Sequence, residues 1–374
     1  LLGRDEVDPL SHLLQGSVHG RNVLVTGAGG SIGSELCRQI ARQAPRLLIL
    51  LDQSEFGLFE VQRDLKNIIA NEELNTPVVA VLGSVTNAAL IRRTLENYHV
   101  DTVYHAAAYK HVGLVEDNVI QGLKNNTFGT LYAAQAAMDA QVQDFILIST
   151  DKAVRTTSVM GASKRLADMV LQALQQASDS TRFSMVRFGN VLGSSGSVVP
   201  LFLEQIDEGG PVTVTHADVT RYFMTIPEAA QLVLQAASMA KGGDVFLLDM
   251  GQPVKILELA ERMIRLKGFS LRDATNPSGD IEIKITGLKP GEKLHEELLV
   301  GEYVTGTDLR KIMRAEESFV PWPELRGALN TLEQACDSYD YEAIKKFIEG
   351  LVEGADLESQ LGDVSNSAEI VALN

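Results

Sequence analysis

Residues 21–33 constrain the fold more than any other stretch of the chain. Arg21-Asn22-Val23-Leu24-Val25-Thr26 reads as a short apolar strand, and Gly27-Ala28-Gly29-Gly30-Ser31-Ile32-Gly33 follows without a break. Gly27, Gly30 and Gly33 have the spacing Gly-x-x-Gly-x-x-Gly. Helical spacing of apolar residues then runs over 32–44. The missing side chains permit a tight turn and a close approach of backbone to a pyrophosphate, which rests on the helix N-terminus. A glycine pattern alone is weak. The strand before it and the helix after it supply the context that this mechanism requires.

The rhythm begun there continues. Residues 47–51 are an unbroken run of Leu and Ile, as in a parallel strand buried on both faces. Further strands are predicted at 78–82, 101–105, 144–149 and 183–188, separated by helices at 56–70, 88–98, 122–140 and 159–177. Such alternation implies α/β architecture, a Rossmann-type doubly wound parallel sheet. After residue 190 the pattern changes. Gly and Ser cluster at 193–197, and β-like pieces at 212–215, 245–249 and 281–285 interleave with helices at 227–240 and 256–267. The expected plan has four parts. Residues 1–20 are a linker or a helix lying on the domain, and 21–190 a cofactor-binding unit. A smaller substrate-binding α/β region spans 191–330. An acidic helical tail, with Glu353, Asp356, Glu358 and Asp363, spans 331–374.

A net charge of −16 argues against a phosphate-tracking nucleic-acid surface, which needs clustered Lys and Arg. It leaves room for a phosphorylated small ligand held by a few local cations. The two cysteines, Cys37 and Cys336, make neither a disulfide framework nor a metal cluster, so no metal is expected. No apolar run is long enough to span a membrane. The opening Leu1-Leu2-Gly3, without an initiator Met, is read as part of a longer protein.

Asp52 closes the second strand, 19 residues after Gly33. A carboxylate there accepts from the adenosine ribose hydroxyls and repels a 2′-phosphate. Gln53 and Ser54 follow, with no Arg to neutralise that phosphate, so NAD is expected over NADP. Ser84 and Val85 stand where the adenine edge is read. Ala106, Ala107 and Ala108 are small residues where backbone must pass close to the cofactor. Asn126 suits either the cofactor wall or a purely structural role.

Residues 149–164 carry the chemistry. They read Ser-Thr-Asp-Lys-Ala-Val-Arg-Thr-Thr-Ser-Val-Met-Gly-Ala-Ser-Lys. The layout resembles a short-chain dehydrogenase/reductase active site, a Ser/Thr at a strand end followed by Tyr-x-x-x-Lys on a helix. Lys164 is present, but the tyrosine slot holds Met160, and a thioether exchanges no proton. Thr150, Asp151 and Lys152 lie just upstream.

Further segments sharpen the resemblance: 25–35, His105-Ala106-Ala107-Ala108-Tyr109-Lys110-His111-Val112, Arg187-Phe188-Gly189-Asn190-Val191-Leu192-Gly193-Ser194 and Gly287-Leu288-Lys289-Pro290-Gly291-Glu292-Lys293-Leu294. Over roughly 20–300 the chain resembles an extended short-chain dehydrogenase/reductase, and within it the nucleotide-sugar 4,6-dehydratases of the CapD-like polysaccharide-biosynthesis family. Met160 resembles the long, membrane-anchored members, and Leu2-Gly3-Arg4-Asp5 resembles the linker that follows their membrane half. Gly113, Ser84, Arg155 and Thr156 depart from the family pattern without removing a group that the chemistry needs.

The resemblance implies NAD-dependent dehydration of UDP-N-acetylglucosamine with the C5 configuration retained, in a homo-oligomer whose parent sits on the cytoplasmic face of the bacterial inner membrane. It implies that Lys152 is the C5 base, its pKa lowered by burial and by nearby cations, and that Asp151 is the acid toward O6. Thr150 hydrogen-bonds O4, and Lys164 holds the nicotinamide ribose. Arg187, Asn190, Ser197 and Arg221 are the diphosphate candidates, and Arg187 suits buried structural support equally. Thr213 is expected beside the uridine, Lys110 and His111 over the sugar, and Glu292 at the ligand. The alternatives are a C5-inverting dehydratase, a 4-epimerase, or a non-catalytic nucleotide-sugar sensor.

Overall fold

The computed structural model describes residues 8–297, 304–357 and 361. The motif Leu2-Gly3-Arg4-Asp5 and the tail acids Glu358 and Asp363 lie outside them. Nine strands among the described residues join in one sheet: β1 Asn22–Thr26, β2 Leu47–Asp52, β3 Val78–Leu82, β4 Thr102–His105, β5 Asp144–Thr150, β6 Arg182–Phe188, β7 Asp244–Leu248, β8 Val304–Gly306 and β9 Ile312–Ala315. Their order is β8-β9-β7-β6-β5-β4-β1-β2-β3. Strands β1 to β7 pair in parallel, and β9 pairs antiparallel with both β7 and β8. The winding reverses between β1 and β4, and that reversal leaves a crevice at the carboxyl ends of the strands.

Alternation along β1 explains the layers. Val23 and Val25 point into a core beneath helices α1 (Ser31–Ala41) and α2 (Glu55–Asn71), while Leu24 points into the opposite one. That opposite core is roofed by α3 (Ala88–Asn97), α4 (Gly129–Asp139) and α5 (Val159–Gln176). Helix α6 (Ile226–Ser238) packs beside α1 through Val233 and Ala237. A small lobe has its own core of Phe202, Ile206, Val212, Phe223, Leu259 and Ile281.

The element plan departs from the sequence reading in three places, while residues 8–20, with a helix at Ser11–Gln15, lie on the domain as one of the two expectations for them had it. The helix expected over 122–140 is broken: Val119–Leu123 is α-helical, Lys124–Phe128 makes one π turn, and α4 follows. The sheet does not end at residue 190, because β7, β8 and β9 come from the region given to substrate binding. The tail helices α7 (Trp322–Asp337) and α8 (Tyr341–Leu351) bury Leu325, Leu329, Leu332, Ile344 and Ile348 in the main core. Residues 8–20 lie along α6, with Leu10 N donating to Gln235 Oε1 at 2.9 Å.

Arg187, expected at the diphosphate, has a different place. Its side chain is 1% exposed and points away from the crevice into the layer between β6 and α5. Nε and Nη2 donate to Asp168 Oδ2 at 2.8 and 2.6 Å, and Nη2 also reaches Glu317 Oε2 at 2.8 Å. Two buried carboxylates hold this guanidinium firmly charged, so nothing is left for a phosphate. The pair ties β6 to α5 and to the segment after β9. Removing one partner of a buried ion pair leaves an uncompensated charge. We predict that Asp168→Ala lowers the unfolding free energy by about 3–5 kcal/mol in urea denaturation. A loss no larger than that of an exposed pair, about 1 kcal/mol, contradicts the assignment.

Candidate active site

A cavity of about 850 Å³ occupies the crevice and runs on to the small lobe. At one end are Gly27, Gly30, Ser31, Ile32 and Gly33, with Ala106 and Ala108 opposite. Gly27 has φ +67°, and a Cβ there would stand 2.6 Å from Ala107 N. A Cβ on Gly33 would stand 2.0 Å from Gly27 O. Side chains at these positions would force β1, α1 and the β4 loop apart. Helix α1 starts at Gly30 with no side-chain cap, so its first N–H groups stay available to an anion. These features fit a dinucleotide pyrophosphate.

The other cofactor candidates divide. Asp52 ends β2 beside the turn, where its carboxylate accepts from Gly29 N and Ser54 N, both at 2.8 Å. Ser54 caps α2 by accepting from Gly57 N. Gln53 Nε2 donates to the Tyr109 hydroxyl at 3.1 Å. Ser84 pairs with Thr86 at 2.9 Å. Val85 is buried in the core against Gly129 and does not open on the cavity. Asn126, lifted by the π turn, is fully buried. It accepts from Tyr109 N at 2.8 Å and donates to Tyr109 O and Ser163 Oγ, both at 2.9 Å. It fixes the backbone that carries Tyr109 and Lys110 along the cavity wall.

At the middle of the cavity lie Thr150, Lys152, Met160 and Lys164. Met160 brings an apolar wall, and its backbone N donates to Glu116 Oε1 at 3.3 Å. Lys164 Nζ donates to Ile148 O at 2.7 Å, and burial pushes its pKa down to about 8. His105, held between Thr26 and Thr130, is likewise pushed down by burial, and further by the charge on Lys164, to about 3. It is a neutral strut.

Asp151 is 1% exposed at the end of β5 and lies behind its neighbours. Its Oδ1 accepts from Thr150 Oγ1 at 3.0 Å and from Lys152 Nζ at 3.2 Å, and its Oδ2 has no partner. Lys152 also donates to Asn190 Oδ1 at 3.1 Å and lies 3.5 Å from Glu296 Oε1. Two glycines make room for this cluster. A Cβ on Gly189 would meet Asp151 Oδ2 at 2.8 Å, and one on Gly161 would meet Lys152 O at 2.2 Å.

The electrostatics correct one expectation. Burial pulls the pKa of Lys152 down, as anticipated, but the attraction of Asp151 and Glu296 outweighs it, and the net direction is up. The sequence reading missed Glu296, a carboxylate with 4% of its side chain exposed. Its only signal was its place two residues after Leu294, the end of the motif segment.

The small-lobe wall holds Lys110, His111, Asn190, Ser197, Thr213, Arg221 and Glu292. His111 precedes the helix Val112–Glu116 but makes no capping bond with its side chain. Thr213 Oγ1 accepts from Gln205 at 2.7 Å. Ser197 Oγ is buried without a partner. Arg221 is nine-tenths buried and engages Glu292 Oε1 at 3.1 Å, so Glu292 holds a cation that a diphosphate would seek.

Residues 23–317 match the polysaccharide biosynthesis protein family. The chain belongs to that family. The capsular polysaccharide biosynthesis protein CapD of Staphylococcus aureus is 49% identical over 299 residues, covering 80% of this chain and 48% of CapD. The probable polysaccharide biosynthesis protein EpsC of Bacillus subtilis is 43% identical over 360 residues, covering 89% and 57%. The chain thus spans about half the length of these two curated relatives. A UDP-N-acetylglucosamine 4,6-dehydratase (inverting) of Campylobacter jejuni is 30% identical over 281 residues, covering 74% and 76%. Pen from Bacillus thuringiensis shares the fold with a TM-score of 0.70 at 29% identity, covering 85% of this chain and 98% of Pen. DesIV of Streptomyces venezuelae, a dTDP-glucose 4,6-dehydratase solved with NAD, has a TM-score of 0.62 at 22% identity, covering 74% and 88%, a likeness of fold. The CapD-like chain is a member of the extended short-chain dehydrogenase/reductase group in architecture as well as sequence.

In this CapD-like site the buried Lys164 sheds its charge far more readily than a solvated lysine. We predict a titration midpoint near pH 8 for its Nζ in ¹⁵N NMR of the ligand-free protein. A midpoint at the ordinary lysine value, about 10.4, contradicts the burial argument.

Proposed function

We propose that the protein is an NAD-dependent lyase that converts UDP-N-acetylglucosamine to UDP-2-acetamido-2,6-dideoxy-α-D-xylo-hexos-4-ulose for bacterial surface polysaccharide synthesis. One observation carries the reading. Thr150, Asp151 and Lys152 form a single hydrogen-bonded cluster beside Met160, where a tyrosine would otherwise move the proton. Bound NAD supplies the chemistry of taking a hydride from C4 and giving it back at C6. Gly27, Gly30, Gly33 and Asp52 would hold its pyrophosphate and ribose, and Lys164 its nicotinamide ribose.

The chain's own groups account for the protons. Thr150 Oγ1 donates to Asp151 Oδ1. A proton leaving O4 for Thr150 therefore pushes the hydroxyl's own proton onto Asp151. Asp151 becomes the acid that O6 needs when water departs. Neutralising Asp151 also removes the larger of the two carboxylate attractions that hold the proton on Lys152. Lys152 can then give that proton to solvent, act as the base at C5 as a neutral amine, and take a proton back once C5 is reprotonated. O4 and C5 each lose one proton; O6 and C5 each gain one. Removal and return by a single amine act on one face of C5, which supports retention of configuration.

No described helix is long and apolar enough to cross a membrane. A relative from Methanocaldococcus jannaschii, 43% identical over 305 residues and covering 81% of this chain and 86% of itself, is named an uncharacterized membrane protein. That supports a membrane location for the full protein.

Incubation with UDP-N-acetylglucosamine and NAD⁺, read by mass and ¹³C NMR, is expected to give loss of one water and a new C6 methyl. A product of unchanged mass contradicts dehydration. Lys152→Ala is expected to lower kcat by about 10²–10⁴-fold, the usual worth of a positioned acid–base group. NADP binding more tightly than NAD would contradict the role of Asp52.

A further inference from the structure

Lys152 stands in the wall between two cavities. The second has a volume of about 250 Å³, room for several waters, and lies behind the substrate cavity. Lys152 and Arg221 line both, whereas Glu296 lines only the smaller one. The rim of the small cavity is exposed at Gly113, Lys289 and Pro290, and its floor is the buried Glu296. Glu296 Oε2 is buried without a hydrogen-bond partner, although Oε1 faces Lys152 Nζ at 3.5 Å and Arg221 Nε at 3.8 Å. An ammonium has three N–H bonds. Those of Lys152 face three oxygens, on Asp151, Asn190 and Glu296.

We propose that the small cavity is a proton port for Lys152, with Glu296 as its inner gate. The inference rests on the dehydratase reading, which requires Lys152 to begin as an ammonium paired with Asp151 and to become a free amine before it meets C5. Once Asp151 takes up the O4 proton, the Lys152 N–H bond facing Glu296 breaks. The proton passes to the Glu296 carboxylate, leaving a neutral amine and a carboxylic acid, and then to water in the small cavity. While Lys152 holds the C5 hydrogen as an ammonium, its protons exchange with water along the same path, and after C5 is reprotonated the path returns a proton to Lys152 in the reverse order. Substrate fills the large cavity during turnover, so solvent reaches the amine from behind. Glu296 is a positioning residue here: it touches Lys152 and not the sugar.

The test follows the hydrogen at C5. Turnover of UDP-N-acetylglucosamine is run in D₂O, quenched early and trapped by borohydride reduction, and retained hydrogen at C5 is read by NMR. With an open port the hydrogen taken by Lys152 exchanges before it returns, and C5 becomes fully deuterated. In Glu296→Gln Lys152 sheds its first proton only through the large cavity before substrate closes it, so turnover slows; the amine then keeps the hydrogen taken from C5, and about one third of product retains it, since the ammonium carries three equivalent positions. Gly113→Leu blocks the outer end, where a Cβ would meet nothing within 4 Å, and gives the same rise if Glu296→Gln does not fold. Full deuteration in every variant that turns over overturns the port, as does equal retention in the parent protein. A parent that yields no dehydrated product overturns the dehydratase reading, and the port with it.

Discussion

A buried ion pair at the end of β5 organises the active site. Asp151 is 1% exposed, and a carboxylate so placed is stable only with strong partners. Lys152 and Thr150 supply them on one oxygen. The surroundings serve that pair. Gly189 and Gly161 leave space for it, Asn190 holds the lysine from across the crevice, and Arg221 and Glu296 balance the remaining charge. The parallel sheet puts all of this at the carboxyl end of a strand next to the winding reversal, where the glycine turn opens on the same cavity.

Met160 takes its meaning from that pair. A tyrosine in its place would be the proton acceptor at O4. A buried thioether cannot do this, and the proposed function gives the task to the strand end, where hydroxyl, carboxylate and amine form a hydrogen-bonded chain. Lys164 keeps its position one helical turn away, bonded to the Ile148 carbonyl rather than to a phenol. Under the proposed function, dinucleotide binding and proton transfer rest on separate residues, the glycine turn and Asp52 for one and the Thr150-Asp151-Lys152 cluster for the other.

Local signals were legible in the sequence; long-range ones were not. The Leu-rich run at 47–51, the glycine turn and the Thr150-Asp151-Lys152 segment are each contiguous, and each stands where its pattern implied. Arg187 was misread because its partners, Asp168 and Glu317, lie 19 and 130 residues away. The charge on Lys152 was misjudged because the attraction of the adjacent Asp151, joined by that of Glu296, outweighs burial. Strand β9, Ile312–Ala315, escaped notice because it is four residues long, shows no polar–apolar alternation and pairs antiparallel with both neighbours. The π turn at Lys124–Phe128 leaves no pattern in composition; only the burial of Asn126 reveals it.

The central claim is that the strand-end cluster, and not residue 160, moves the O4 proton. The steady-state kcat for UDP-N-acetylglucosamine dehydration by Thr150→Val, set beside that of Met160→Leu, tests it most directly. The account predicts a fall of about 10²–10⁴-fold for Thr150→Val, as for loss of a proton-transfer group, and little change for Met160→Leu. A Thr150→Val protein that turns over like the parent, or a Met160→Leu protein that loses as much as Thr150→Val is expected to, would contradict it.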